Sequence, residues 1–70
     1  MEFKKKYAAY DPNILLETWY EKNGKKQGEY TLYYDNGNIW KQGSYDDGLR
    51  DGKWKYLHEN GKLEIEFEYK

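Results

Sequence analysis

Similar residues whose numbers differ by 24 recur along this chain: Gly28 and Gly52, Tyr30 and Trp54, Asn36-Gly37 and Asn60-Gly61, Ile39 and Leu63, Tyr45 and Tyr69. A fixed period of this size marks an array of small supersecondary units, each of which buries its apolar side only by stacking on the next. One further step toward the N-terminus sets Pro12-Asn13 on the Asn-Gly pair, Leu15 on Ile39 and Gly24 on Gly48, so a degraded first copy is present. Because the period is even and strand side chains alternate with period two, equivalent positions of every unit project from one face.

The unit is a β-hairpin. Asn60-Gly61 is a strong short-range hairpin signal, since a two-residue type I′ turn needs positive φ at both central residues. With those two residues as the turn, paired positions sum to 121: Trp54 meets Phe67, Tyr56 meets Ile65 and His58 meets Leu63 on one face. On the other face Lys53 meets Glu68 and Lys55 meets Glu66, so the hairpin has an apolar and a charged side.

Three such units, at about 4–27, 28–51 and 52–70 of a single domain 1–70, predict an all-β chain: one twisted antiparallel meander of about six strands. Turns are expected at Pro12-Asn13, Asn23-Gly24, Asn36-Gly37, Asp47-Gly48 and Asn60-Gly61. The glycine-rich links Asn23 to Gly28 and Asp46 to Gly52 read as longer connections with a looser register. The apolar face, and therefore the expected core, carries Tyr10, Leu15, Trp19, Tyr30, Leu32, Tyr34, Ile39, Tyr45, Trp54, Tyr56, Leu63, Ile65, Phe67 and Tyr69. Tyr30 falls opposite Gly43, where an aromatic ring can cover a strand glycine. Glu17 and Lys41 interrupt this face.

Composition narrows the function. Twelve Lys and Arg against thirteen Asp and Glu give a net charge of −1, without the single-signed field that nucleic acid or an acidic membrane attracts. No apolar run approaches a membrane span, and no apolar segment follows Lys4-Lys5-Lys6 as in a secretory signal. Cysteine is absent, which fits a cytoplasmic protein and excludes disulfides and thiolate metal sites. Nine Tyr, three Trp and two Phe must therefore carry the packing.

Chemistry-bearing clusters have plain structural readings. Glu64, Glu66 and Glu68 share a face, but two of them face lysines and no nucleophile accompanies them. Asp46, Asp47 and Asp51 around Gly48 lack calcium-loop spacing and read as turn residues. The lone His58 takes the place of Tyr34 one unit earlier. Neither a catalytic residue nor a cofactor or metal site is expected.

The charged face turns apolar toward the central strands, where Ile14, Leu16, Tyr33, Trp40 and Leu57 gather, with Ile14, Tyr33 and Trp40 in one row across three strands. A sheet that is apolar on both sides must cover the second side, and Tyr and Trp are enriched at protein interfaces. These five residues form the expected partner-binding patch. Another protein or a second copy of the chain is the expected occupant, with a sugar or choline-like ligand as the alternative.

Gly28-Glu-Tyr-Thr-Leu-Tyr-Tyr-Asp-Asn-Gly-Asn-Ile39, with Gly43-Ser-Tyr-Asp-Asp-Gly48 and Gly52-Lys-Trp-Lys-Tyr56, resembles the MORN repeat in the variant form of bacterial YwqK-type proteins. The resemblance covers residues 20–70 well and residues 2–19 poorly. It implies a stack of β-hairpins without enzymatic chemistry, used for contacts with other proteins. YwqK-type members imply an antitoxin- or immunity-like partner; eukaryotic relatives imply scaffolding at membrane surfaces. The first unit departs from the family, with Asp11-Pro12-Asn13 where the others have Asn-Gly.

Overall fold

The computed structural model describes residues 1–69. Six strands follow one another as β1 (Glu2–Ala8), β2 (Asp11–Lys22), β3 (Lys25–Tyr33), β4 (Ile39–Asp46), β5 (Leu49–Leu57) and β6 (Leu63–Tyr69). They pair in sequence order as one antiparallel sheet, the expected meander, with β1 and β6 at its edges. Extents of 30 × 27 × 13 Å are those of a single layer. Among the described residues no helix is long and apolar enough to cross a membrane.

The register of the last hairpin is the one its residues predict: Lys53↔Glu68, Trp54↔Phe67, Lys55↔Glu66 and Tyr56↔Ile65. Its turn is different. Gly61 has φ 88°, but Asn60 is not in the positive-φ region. The Gly61 amide donates to the His58 carbonyl and the His58 amide to the Lys62 carbonyl, at 2.9 and 2.8 Å. That is a three-residue loop, Glu59-Asn60-Gly61, with the glycine forming the bulge. The Asn60 carboxamide accepts from the Lys62 amide at 2.9 Å, which is why asparagine precedes the glycine. The middle hairpin repeats the device one unit earlier, with Gly37 at φ 89° and the Asn38 amide donating to Asn36 at 2.9 Å. The extra loop residue shifts the pairing, so Leu57 rather than His58 meets Leu63, and Tyr33 meets Ile39 rather than Trp40.

Tight turns occur instead between the units. Asn23-Gly24 (φ 54° and 78°) and Asp47-Gly48 (φ 52° and 85°) have positive φ at both positions, as a type I′ turn requires. Each joins directly paired residues, Lys22↔Lys25 and Asp46↔Leu49, so the turns themselves are two residues long and not extended connections. The slack is taken up one step later. Tyr20 of β2 spans the same stretch as Gln27-Gly28-Glu29 of β3, and Gly43 of β4 the same stretch as Gly52-Lys53-Trp54 of β5. Gly28 and Gly52, at φ 90° and 70°, make these bulges.

The first hairpin departs from the repeat. Its turn is Ala9-Tyr10, and Pro12-Asn13 lies within β2, where the Asn13 amide donates to the Asp11 carboxylate at 2.9 Å. Without a glycine at Pro12-Asn13 the left-handed position that closes the other two hairpins is missing, and the chain turns earlier.

The core is narrower than expected. Trp54 is fully buried and Tyr30 nearly so, whereas Tyr10, Leu63, Ile65 and Phe67 are exposed. One sheet has no second layer to cover an aromatic face, and only its centre is shielded by neighbouring rings. Tyr45 meets Trp54 and Tyr30 edge-on, with centroids at 5.2 and 5.4 Å, and Tyr30 lies 5.5 Å from Trp54. Tyr30 is opposite Gly43 in register, yet the ring lying against that glycine is Trp54, carried across by the Gly52 bulge. The Trp54 indole NH donates to the Ser44 carbonyl at 3.0 Å.

Candidate functional site

The three-residue loops and the Ala9-Tyr10 turn lie at one end of the sheet and are tied together. The Tyr10 hydroxyl donates to Asp35, while the Asn36 and Asn38 carboxamides both donate to the Glu59 carbonyl, at 3.0 and 2.6 Å. Tyr34 and Trp40 flank the middle loop, and their rings stack at 5.2 Å with 21° between planes. The Tyr34 hydroxyl is anchored on the Leu57 carbonyl at 2.7 Å, fixing the ring. Loss of hydration, with the nearby Glu59 and Glu64 carboxylates, raises the pKa of that hydroxyl.

A groove of about 520 Å³ opens beside this stack, lined by Leu16, Leu32, Tyr33, Tyr34, Trp40 and the acidic or polar Asp35, Asn36 and Glu59. A second of about 380 Å³ adjoins it and includes Ile14 and Leu15, with Tyr33, Asp35 and Asn36 shared between the two. Of the five patch residues expected from sequence, Leu16, Tyr33 and Trp40 line the larger groove and Ile14 the smaller one. Leu57 lines neither; its carbonyl is occupied by Tyr34. Trp40 is 44% exposed at the groove. Tyr34, Asp35 and Glu59 lie outside the expected set. Their signal is the alignment of Tyr10-Asp11, Tyr34-Asp35 and His58-Glu59 at successive steps of the repeat.

On the aromatic face, cations sit over the rings. The Lys26 ammonium lies 5.6, 5.0 and 5.4 Å from the ring centroids of Trp19, Tyr30 and Tyr45, and 4.0 Å from Glu17. Arg50 lies 5.3 and 5.7 Å from Trp54 and Tyr69 and donates to the Tyr69 hydroxyl at 3.1 Å. Lys26 and Arg50 are one repeat apart, as are Tyr30 and Trp54, and Tyr45 and Tyr69. The clamp is thus a repeated element, and it accounts for Glu17, which accepts from the Tyr30 hydroxyl and pairs with Lys26. Lys41, the other interruption, lies 6.0 Å from the Trp40 ring and 5.6 Å from that of Tyr56.

Among the described residues no three His, Asp or Glu side chains converge as metal ligands. A family profile described as MORN repeat variant matches residues 26–47 and 50–70. No curated protein and no solved structure matches the chain.

Proposed function

This chain belongs to the MORN repeat variant family, matched over residues 26–47 and 50–70, and from that premise we propose that it is a non-catalytic protein-interaction module. Its contact surface is the groove at the loop end of the sheet. The observation that carries this reading is the Tyr34–Trp40 stack, held by the Leu57 carbonyl and left open to solvent on the groove side. Pre-positioned aromatic rings supply much contact area at low entropic cost and are the usual centres of protein interfaces. Asp35 and Glu59 at the rim favour a partner segment that presents a Lys or Arg beside an apolar side chain.

A choline-like ligand fits less well, since Lys26, Lys41 and Arg50 already stand over the rings a quaternary ammonium group would use. The antitoxin-like role implied by the YwqK resemblance is the narrower form of this proposal. In it, the basic and apolar segment belongs to a toxin, and co-expression of the two relieves growth arrest.

The test compares affinity capture by the wild-type chain and by Trp40→Ala. Loss of a specific captured protein with an unchanged circular dichroism spectrum supports the groove. Equal capture by both overturns it, and a variant that unfolds shows Trp40 to be part of the packing.

A further inference from the structure

The two edge strands of this sheet are chemically opposite. Strand β1 carries Lys4, Lys5 and Lys6 with one acid, Glu2, whereas β6 carries Glu64, Glu66 and Glu68 and no cation among its residues. The two strands are equal in length, and neither has a neighbour on its outer side among the described residues. Every residue of β6 from Leu63 to Glu68 is exposed. Lys53 and Lys55 stand opposite Glu68 and Glu66 in register, but neither pair is among the ion pairs within 4.0 Å.

We infer that β6 of one copy pairs antiparallel with β1 of the next, so that copies of this chain join head to tail and extend the meander. The strand directions permit it, because β1 and β6 are antiparallel within the alternating sheet and a repeated copy continues the alternation. The faces match as well. Lys4 pairs with Trp19 and Phe67 with Trp54, which puts Lys4, Lys6, Ile65, Phe67 and Tyr69 on the aromatic face. With the two strands fully overlapped, Lys4 meets Phe67 and Lys6 meets Ile65 on that face, while Lys5 meets Glu66 on the other. Such a junction sets the Lys4 ammonium against the exposed Phe67 ring, the arrangement Arg50 makes with Tyr69 inside the chain.

Charge also decides against the symmetric alternatives. A β6–β6 junction opposes glutamates and a β1–β1 junction opposes lysines, and like charges directly across a sheet are unfavourable. The contact is therefore heterologous, and it builds an open series or a ring and not a closed two-fold dimer. The groove lies at the loop end and leaves both edges free, so the two contacts are independent.

Light scattering and sedimentation of the full chain over a concentration series test it, in low salt and in 0.5 M NaCl. The expected result is a mass that climbs past the dimer and falls back in high salt, where charge pairs at an exposed edge are screened. Reversing one edge, by K4E/K5E/K6E or by E64K/E66K/E68K, raises the concentration of half-assembly by about tenfold or more. Mixing the two variants restores assembly, because each then offers the edge the other lacks. Should E64K/E66K/E68K fail to fold beside Lys53 and Lys55, E64Q/E66Q/E68Q weakens assembly in its place. A wild-type chain that stays monomeric, a mass that stops at the dimer, or assembly indifferent to these charges overturns the inference. Trp40→Ala leaves the edge assembly unchanged; its loss in that variant also overturns the inference, by moving the contact to the groove.

Discussion

Trp54 lies against Gly43 so closely that a Cβ on the glycine would overlap the indole Cδ2, Cε2 and Cγ atoms. The glycine sits in mid-strand without positive φ, so its absence of a side chain, and not its backbone freedom, is what the fold uses. Gly43→Ala accordingly displaces the fully buried Trp54 side chain and costs about 1–3 kcal/mol, as overpacking does. A urea titration reads this as a lower midpoint with an unchanged slope. An unshifted midpoint would show that the indole has room to move.

The paired clamps make a second expectation. Arg50→Gln removes one cation from two rings and lowers stability by about 0.5–1 kcal/mol, in the range of partly exposed cation–π contacts. Lys26→Gln costs more, because it also leaves the Glu17 carboxylate without its ammonium partner. Lys26→Arg retains most of the stability. Thermal melts of the three variants give the order, and equal melting temperatures for Lys26→Gln and wild type would remove the clamp from the stabilising interactions.

Alkaline pH provides a third. Burial, and next the hydrogen bond to Glu17, push the Tyr30 hydroxyl far above its ordinary value. The same direction holds for Tyr10 through its bond to Asp35, and for Tyr56 through the neighbouring Tyr69 hydroxyl. In the unfolded chain these groups ionise near pH 10, while in the sheet they keep their protons, so the folded state binds more protons there. Stability is thus fully present below about pH 10 and falls as pH rises beyond it. Tyr69 runs the other way, since the neighbouring Tyr56 hydroxyl and the hydrogen-bonded Arg50 guanidinium lower its pKa. Tyr30→Phe flattens the alkaline decline measured by denaturation at pH 9, 10 and 11. A decline of unchanged steepness would assign it to other tyrosines.

The strand order and most of the register were legible in the spacing of residues such as Trp54 and Phe67, because alternation and a fixed period leave few ways to pair two strands. Turn chemistry was less legible. Asn-Gly suits both a type I′ turn and a three-residue loop with a glycine bulge, and what favours the loop here is the bond that the Asn60 carboxamide accepts from the Lys62 amide. Burial at single positions was legible only at the centre of the sheet, where Trp54 and Tyr30 are buried as expected. Phe67 has the pattern of a core residue and is 52% exposed, since it lies on an edge strand that no other element covers among the described residues. At the groove, Leu16, Tyr33 and Trp40 could be found from their apolar positions, whereas Tyr34 enters through a stack that forms only once the loop has shifted the pairing.

In this sheet each strand pairs only with its neighbours in sequence, and the aromatic clamp, the bulge glycine and the loop asparagine each occur twice, one repeat length apart. A duplication of one repeat length within the last two units rejoins a strand to an equivalent partner. Stability in such an array adds up from each unit and its contact with the next, so the number of units is a variable that the architecture tolerates.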